Sequence, residues 1–216
     1  MSAKPSRFNV PSDALVCIVD DDDLIRRSLT RLCRSVHLLA ESFSSAKAYL
    51  ERPSHGGPSC LILDVRMPGL DGLELQRTLG DREVPIIFLT GYGSVPMCAL
   101  AMKAGAVDFL TKPVDDDELF AAIHRALARS VEAHKSCTER LAARARLGAL
   151  TPREFEVMQR VIAGLLNKQI ADELGAAVKT VKIHRGRVME KMGVISVADL
   201  VRVAQVAGVA PLHAHA

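Results

Sequence analysis

The chain lacks the features that would place it in a membrane or outside the cell. Its longest apolar runs have five or six residues, which excludes a membrane-spanning helix. The opening segment, MSAKPSRFNVPSD, has no apolar core of a signal peptide, so we expect a short disordered lead-in. Its five cysteines are odd in number and form no C-x-x-C pair, which favours reduced thiols. These absences together predict a cytoplasmic protein with no membrane contact.

Charge is distributed unevenly although the net charge is only +3. Residues 1–124 carry a balance of −4, residues 125–147 carry +4 and residues 148–216 carry +3. An acidic front and a basic back suggest that a metal- and phosphate-binding end is joined to an end that binds a polyanion.

The first half alternates apolar runs of strand length with amphipathic helical stretches. Continuous apolar strands separated by helices predict a parallel sheet that is covered on both faces. The predicted strands are 15–19, 36–40, 60–63, 85–89 and 106–110. The predicted helices are 22–34, 44–51, 71–79, 94–103 and a longer helix from about 115 that continues to about 146.

Polar side chains follow four of these runs, at the point where each strand ends. They are Asp20 and Asp21 in IVDDDD, Asp64 in LILDVRMPGLDG, Thr90 in FLTGYG and Lys112 in DFLTKP. In an open α/β sheet, ligands bind at the carboxyl ends of the strands, so these side chains are expected at one edge. Crowded carboxylates repel one another unless a cation intervenes, and Mg²⁺ prefers oxygen ligands.

Taken singly, each of these residues has a simpler explanation. An aspartate at a strand end often only caps the next helix, and Asp22 and Asp23 are in the right place to do so. A lone Lys112 could be a solvated loop residue, and Thr90 could be a turn former. The acidic pair, the acceptor, the hydroxyl and the lysine together favour a phosphoryl-transfer site.

These four segments, in this order and at this spacing, resemble the receiver domain of bacterial two-component response regulators over residues 13–128. The resemblance implies a flavodoxin-like, doubly wound five-stranded parallel sheet. It also implies that Asp21 and Asp64 ligate Mg²⁺, with Asp20 acting mainly through a bound water and the backbone carbonyl of Arg66 completing the set.

By the same resemblance, Asp64 is the phospho-acceptor, and Lys112 and Thr90 bind the phosphoryl oxygens. The Lys112–Pro113 peptide bond is expected to be cis. Phe109 occupies the position of the family's switch aromatic, although a core strand residue would also explain a phenylalanine there. As a switch, Phe109 would turn inward when Thr90 moves toward the phosphoryl group, and the surface around residues 94–110 would change.

Residues 150–208 show no strand-like alternation and predict an all-α unit of four helices, at 152–163, 167–174, 178–192 and 196–207. Thr151, Pro152 and Glu154 have the spacing of a capping box with proline at the first helical position. The second and third helices join at Gly175 as in a helix-turn-helix. The third is basic on one face, while its core-facing positions are expected to be Val178, Val181, Val188 and Met192.

LTPREFEVM, GLLNKQIADELG, KTVKIHR and EKMGV resemble the LuxR-type output domain, expected here at 148–208 after a helical linker at 129–147. The whole chain is similar to the NarL/FixJ class of response regulators. DVRMPGLDGLEL and VPMCALAMKAGAVDFLTKP resemble the FixJ branch in particular.

The LuxR-type resemblance also implies the DNA contacts. Base edges would be met by Lys182 and Ile183, and phosphates by Lys168, Lys179, Thr180 and Arg185. His184 is expected to pack against the turn or to donate to a phosphate. Gly186 departs from the polar or small side chains usual at its position and weakens the helix by about 1 kcal/mol relative to alanine. On the last helix, Val197, Leu200 and Val201 form a stripe that either joins two copies in a dimer or packs in the monomer core.

The resemblance implies a transcription regulator that a sensor histidine kinase phosphorylates on Asp64. The phosphorylated protein would form a homodimer, bind double-stranded promoter DNA and act, most simply as an activator, with RNA polymerase. It would be no enzyme apart from phosphotransfer to its own Asp64 and slow autodephosphorylation. Two alternatives are a transcription factor whose receiver docks partners without phosphorylation and a phosphatase with an aspartyl-phosphate intermediate.

Overall fold

The structure is a computed structural model that describes residues 11–80 and 84–210. The expected lead-in at the amino terminus lies mostly outside the described residues. The chain divides into two compact units, with the boundary between His134 and Lys135. Among the described residues, no helix combines the length and the apolar character needed to cross a membrane.

The first unit is a five-stranded parallel sheet with the strand order β2-β1-β3-β4-β5. The strands are β1 (Leu15–Val19), β2 (Leu39–Phe43), β3 (Ser59–Leu63), β4 (Ile86–Thr90) and β5 (Asp108–Thr111). The helices between and after them are α1 (Asp23–Ser35), α2 (Ala46–Glu51), α3 (Gly72–Leu79), α4 (Val95–Lys103) and α5 (Asp116–Gly148). The predicted doubly wound α/β fold is confirmed.

Apolar residues from alternate positions of the strands form a core on each face of the sheet. On one face, Val16 and Ile18 are buried with Leu29 of α1 and Ile123 of α5. On the other, the strands pack against α2, α3 and α4. Burial raises the pKa of two core thiols, to about 11 at Cys17 and about 12 at Cys33, because desolvation disfavours the thiolate. All five cysteines lie within the described residues and are free thiols.

The second strand lies three residues later than the apolar run suggested, at Leu39–Phe43 rather than 36–40. Val36 forms the cap of α1, and His37 has a φ of 63°, so the first part of the run turns the chain. The amide of Leu38 donates to the carbonyl of Cys33 in this turn. Because β2 is an edge strand, it does not need a continuous apolar sequence.

The second unit is helical, with α6 (Pro152–Ile162), α7 (Asn167–Leu174), α8 (Val178–Met192) and α9 (Val197–Ala207). Its core contains Val157, Ile170, Val181 and Leu200. The end of α5 also belongs to this unit, because Ala143 is buried and Leu147 packs against the same core. The expected continuation of the fifth helix is confirmed, since α5 runs unbroken to Gly148.

Candidate phosphoryl-transfer site and nucleic-acid interface

The acidic residues meet at the carboxyl ends of β1 and β3. Val19 and Leu63 are partners in the parallel register, so Asp20 and Asp64, which follow them, are neighbours. The amide of Asp64 donates to the carbonyl of Val19 at 2.9 Å. One carboxylate oxygen from each of Asp20, Asp21 and Asp64 lies within 4.8 Å of the others. This set of hard oxygen donors, with Asp20 and Asp64 buried and Asp21 exposed, fits Mg²⁺ with some water ligands.

Lys112 brings the positive charge of the pocket from the end of β5. Its Nζ donates to Asp20 Oδ2 at 2.6 Å and lies 3.7 Å from Asp64 Oδ1. The backbone fixes this position, because the amide of Lys112 donates to the carbonyl of Thr90 at 2.9 Å. The following bond, Lys112–Pro113, is cis as expected.

Asp64 sits in a polar but desolvated environment. Burial raises the pKa of its carboxyl above the usual value, an effect that Lys112 and the hydroxyl of Thr90 oppose. Asp64 Oδ1 also accepts from the amide of Val65 at 2.9 Å. The positive charge of Lys112 thus favours the ionised form of the Asp64 carboxyl, against the effect of burial.

Thr90 and Phe109 occupy neighbouring strands beneath the pocket. Thr90 is completely buried, and its Oγ1 accepts from the amide of Tyr92 at 3.3 Å. Phe109 is half-buried, and its ring centroid lies 5.9 Å from that of Phe88. A Cβ on Gly93 would lie 3.1 Å from the Phe109 ring, so the loop after β4 packs against this ring.

Several residues around the pocket were missed by the sequence analysis. A Cβ on Gly72 would overlap the carbonyl oxygen of Asp64, so the turn that follows Asp64 requires glycine there. Arg26 donates to the carbonyl of Asp20 at 2.9 Å, and the ring of Tyr92 lies 4.9 Å from the guanidinium of Arg66, of which only the backbone carbonyl had been predicted to take part. Of these residues, only Gly72 could have been suspected from the sequence, because it is the last glycine of the turn-forming segment PGLDG. Asp22 has the simpler role considered for it, because its side chain accepts from the first-turn amides of α1.

The basic face of α8 is the candidate nucleic-acid interface. Gly175, in the left-handed conformation, ends α7 and allows the sharp turn that leads to α8. Val181, Val188 and Met192 are buried as expected. Of the predicted DNA contacts, the exposed side chains are Lys168 on α7 and Lys179, Thr180, Lys182 and Ile183 on α8.

Two residues of this face, Arg185 and His184, are less exposed than the other predicted DNA contacts. Arg185 is half-buried and donates to Asn167 Oδ1 at 3.0 Å, so it also ties α8 to the start of α7. His184 is half-buried, and its enclosed Nδ1 has no hydrogen-bond partner within the described residues. Asn167, at the first position of α7, had not been identified from the sequence.

Val178 does not face the core as predicted, since its exposed fraction is 44%. It is the first residue of α8, and the buried stripe of this helix begins one turn later, at Val181. The stripe on α9 belongs to the monomer core at its centre: Leu200 is fully buried, while Val197 and Val201 are half-buried beside it. The burial of Leu200 favours the second alternative, packing within the monomer core, for the centre of this stripe.

The capping box predicted at the start of α6 is confirmed. Thr151 and Glu154 exchange hydrogen bonds between side chain and backbone, and Pro152 is the first helical residue. Glu154 Oε2 also accepts from Lys191 Nζ at 2.6 Å, which joins α6 to the end of α8. These partners lower the pKa of Glu154 to about 2.

Comparison with known proteins identifies the two units. Residues 16–124 match the response regulator receiver domain, and residues 148–204 match the bacterial regulatory proteins of the luxR family. The chain is 41% identical over 204 residues to the transcriptional regulatory protein FixJ of Azorhizobium caulinodans, covering 94% of this chain and 97% of that protein. The chain is a response regulator with a LuxR-type output domain.

Two further proteins show this likeness over most of the chain. Nodulation protein W of Bradyrhizobium diazoefficiens is 46% identical over 202 residues, covering 93% of this chain and 89% of that protein. The solved structure of the response regulator StyR aligns with a TM-score of 0.82 at 41% identity, covering 89% of this chain and 98% of that one. This response regulator is therefore a transcription regulator, and its homologues are regulators rather than enzymes.

Proposed function

We propose that this response regulator is switched on by transfer of a phosphoryl group from a sensor histidine kinase to Asp64. The observation that carries the proposal is the joint placement of the Asp20, Asp21 and Asp64 carboxylates within 4.8 Å of one another, with Lys112 Nζ 3.7 Å from Asp64 Oδ1. An Oδ atom of Asp64 attacks phosphorus while the bond from phosphorus to the kinase histidine breaks. The Lys112 ammonium pairs with one oxygen of the incoming phosphoryl group, and the hydroxyl of Thr90 donates a hydrogen bond to another oxygen of the same group.

Mg²⁺ is the cofactor we propose for this pocket. The ion would be held by Asp20, Asp21, Asp64 and the backbone carbonyl of Arg66, with Asp20 acting mainly through water. When bound, it neutralises the negative charge that the carboxylates and the phosphoryl group bring together. Slow loss of the phosphoryl group by reaction with water would reset the protein.

We propose that phosphorylation exposes or reshapes a dimer surface on α4. Movement of Thr90 toward the phosphoryl group would vacate space for the ring of Phe109, which already lies between the core and the loop after β4. Val95 and Met102 lie seven positions apart on one face of α4 and are 84% and 43% exposed. Two receivers that bury this face would carry two output domains to paired DNA half-sites.

At each half-site of promoter DNA, α8 would enter the major groove. Lys182 and Ile183 would meet base edges, and Lys168, Lys179 and Thr180 would meet phosphates, all from exposed positions. Arg185 would add a phosphate contact while it holds Asn167. We propose that the bound dimer activates transcription together with RNA polymerase, and that the domains extend over 13–128 and 148–208 with the helical linker between them.

Labelling with a small phosphodonor tests the acceptor. With radiolabelled acetyl phosphate and Mg²⁺, the wild-type protein should incorporate one phosphoryl group per chain. Asp64→Asn should incorporate none, because the amide cannot act as the nucleophile. Asp23→Asn is the matched control, since Asp23 is an exposed aspartate near the same edge, at the start of α1. Labelling of Asp64→Asn at the wild-type rate would contradict the proposal.

A further inference from the structure

Arg146, near the end of α5, contacts the carboxyl end of the recognition helix α8. Its Nη1 donates to the carbonyl oxygen of Met192, the last residue of α8, at 3.3 Å. The guanidinium also lies against Gly193, because a Cβ built there would be 3.6 Å from Arg146 Cζ. A cation at this place satisfies one of the free carbonyls of the helix and complements the negative end of its dipole.

The neighbours of Arg146 show that α5 is packed against the output unit at this point. Ala143, one turn earlier, is 5% exposed, whereas Ala142, Arg144, Ala145 and Arg146 itself are exposed, so Arg146 reaches the end of α8 along the surface of the unit. Leu147 is packed against the core that also holds Val188 and Met192. The face of α5 that carries Ala143, Arg146 and Leu147 is therefore fixed to the unit that contains α8.

The first helix of the helix-turn-helix is held in the same manner. Arg153 of α6 donates through Nη2 to the carbonyl of Leu174, the last residue of α7, at 2.7 Å. In both α7 and α8, the carbonyl of the last residue thus accepts a hydrogen bond from an arginine side chain. The arginine that binds α7 belongs to α6, whereas the arginine that binds α8 belongs to α5. Helix α5 begins at Asp116, and its residues Leu119 and Ile123 are buried in the core of the receiver.

We propose that Arg146 is a positioning residue for DNA recognition: from α5, it fixes the carboxyl end of α8 so that the base-contacting side chains keep their places in the major groove. This inference rests on the proposed function, since it assumes that α8 reads DNA. It assigns to α5 a role in specificity beyond that of a connection between two units.

The test compares Arg146→Ala and Arg146→Lys with Arg144→Ala, which removes an exposed arginine two residues earlier on the same helix. Two duplexes serve as probes, one selected from a random library by the phosphorylated wild-type protein and one of scrambled sequence. For Arg146→Ala we expect affinity for the selected duplex to fall about tenfold, as for loss of one charge-assisted hydrogen bond, with the scrambled duplex unchanged. Arg146→Lys should retain most of the affinity, and Arg144→Ala should match the wild type.

Salt dependence and amide exchange separate positioning from other roles. If Arg146 touched a DNA phosphate, both duplexes would bind more weakly and the salt slope would fall by about one, which would overturn the proposal. The proposal is supported if amide hydrogen exchange at residues 190–194 is faster in Arg146→Ala while the melting temperature of the output domain is nearly unchanged. A lower melting temperature with unchanged preference between the duplexes would show a purely stabilising role and overturn it. Failure of the selection to enrich any sequence would instead contradict the proposed function itself.

Discussion

Gly72→Ala is the substitution that the structure predicts to distort the turn after Asp64 most directly, while every side chain of the candidate phosphoryl-transfer site is left unchanged. Gly72 is the first residue of α3, and its amide donates to the carbonyl of Val65 at 2.9 Å. A methyl group there would overlap the carbonyl oxygen of Asp64 and lie 3.0 Å from Val65 Cα. Both neighbours are backbone atoms, so no flexible side chain can move aside.

The size of the effect follows from this overlap. To restore an ordinary contact of 3.4 Å, the backbone at Asp64 or the start of α3 must move by about 1 Å. A displacement of this size at a reacting group can lower a rate about a hundredfold. Crowding in a packed region also costs about 1–3 kcal/mol of the free energy of unfolding.

The assay is labelling by acetyl phosphate with Mg²⁺, followed for the wild type, Gly72→Ala and Gly56→Ala. The last is the control, because no heavy atom among the described residues lies within 4 Å of a Cβ at Gly56. We expect slow labelling only in Gly72→Ala, together with a lower urea midpoint. Wild-type labelling and stability in Gly72→Ala would refute the geometry described for the turn after Asp64.

Three further predictions concern the output domain. Glu154→Gln should lower its free energy of unfolding by about 1–3 kcal/mol at pH 7, because a buried charge-assisted hydrogen bond to Lys191 is weakened. Since the pKa of Glu154 is about 2 when folded and 4.5 ordinarily, the stabilisation is complete above pH 4.5 and is lost as the pH falls toward 2. Urea titrations of both proteins should therefore converge in acid, and a difference that stays constant with pH would contradict the role of the carboxylate. Gly186→Ala should raise the free energy of unfolding by about 1 kcal/mol, because no heavy atom among the described residues lies within 4 Å of the added Cβ; a lower melting temperature would contradict this. Lys182→Ala should weaken binding to a selected duplex by about 1–3 kcal/mol and blur preference at one base pair, whereas Lys179→Ala should weaken all duplexes alike and flatten the salt dependence. Identical effects of the two substitutions would contradict their separate assignments.

The sequence predicted the fold and the candidate site most accurately at positions where a residue type has only one structural role to play. Asp20 and Asp64 follow apolar strands, and parallel strands bring their carboxyl ends to one edge, so their meeting could be anticipated. The helices of the output domain were predicted within about two residues because caps and glycines mark them. Thr151 and Glu154 are the clearest example.

The remaining details depend on tertiary contacts that a linear pattern does not contain. Val178 fits the apolar spacing of α8, but its place in the first turn leaves it exposed. Leu200 fits both a dimer stripe and a core stripe, and only the packing of α9 distinguishes them. Arg146 donates to a backbone carbonyl elsewhere in the fold, and an acceptor on the backbone has no signature in the sequence. The glycines of PGLDG mark a turn, but the contact with the carbonyl of Asp64 that requires Gly72 is visible only in the fold.

Titration of one selected duplex with phosphorylated and unphosphorylated protein tests the central claim most directly. The proposal predicts tighter binding after phosphorylation, with two chains on each duplex, because paired half-sites favour a dimer over a single output domain. Asp64→Asn treated with the same phosphodonor should bind like the unphosphorylated wild type. Equal affinity and stoichiometry in both states of the wild-type protein would contradict the coupling of Asp64 to DNA binding.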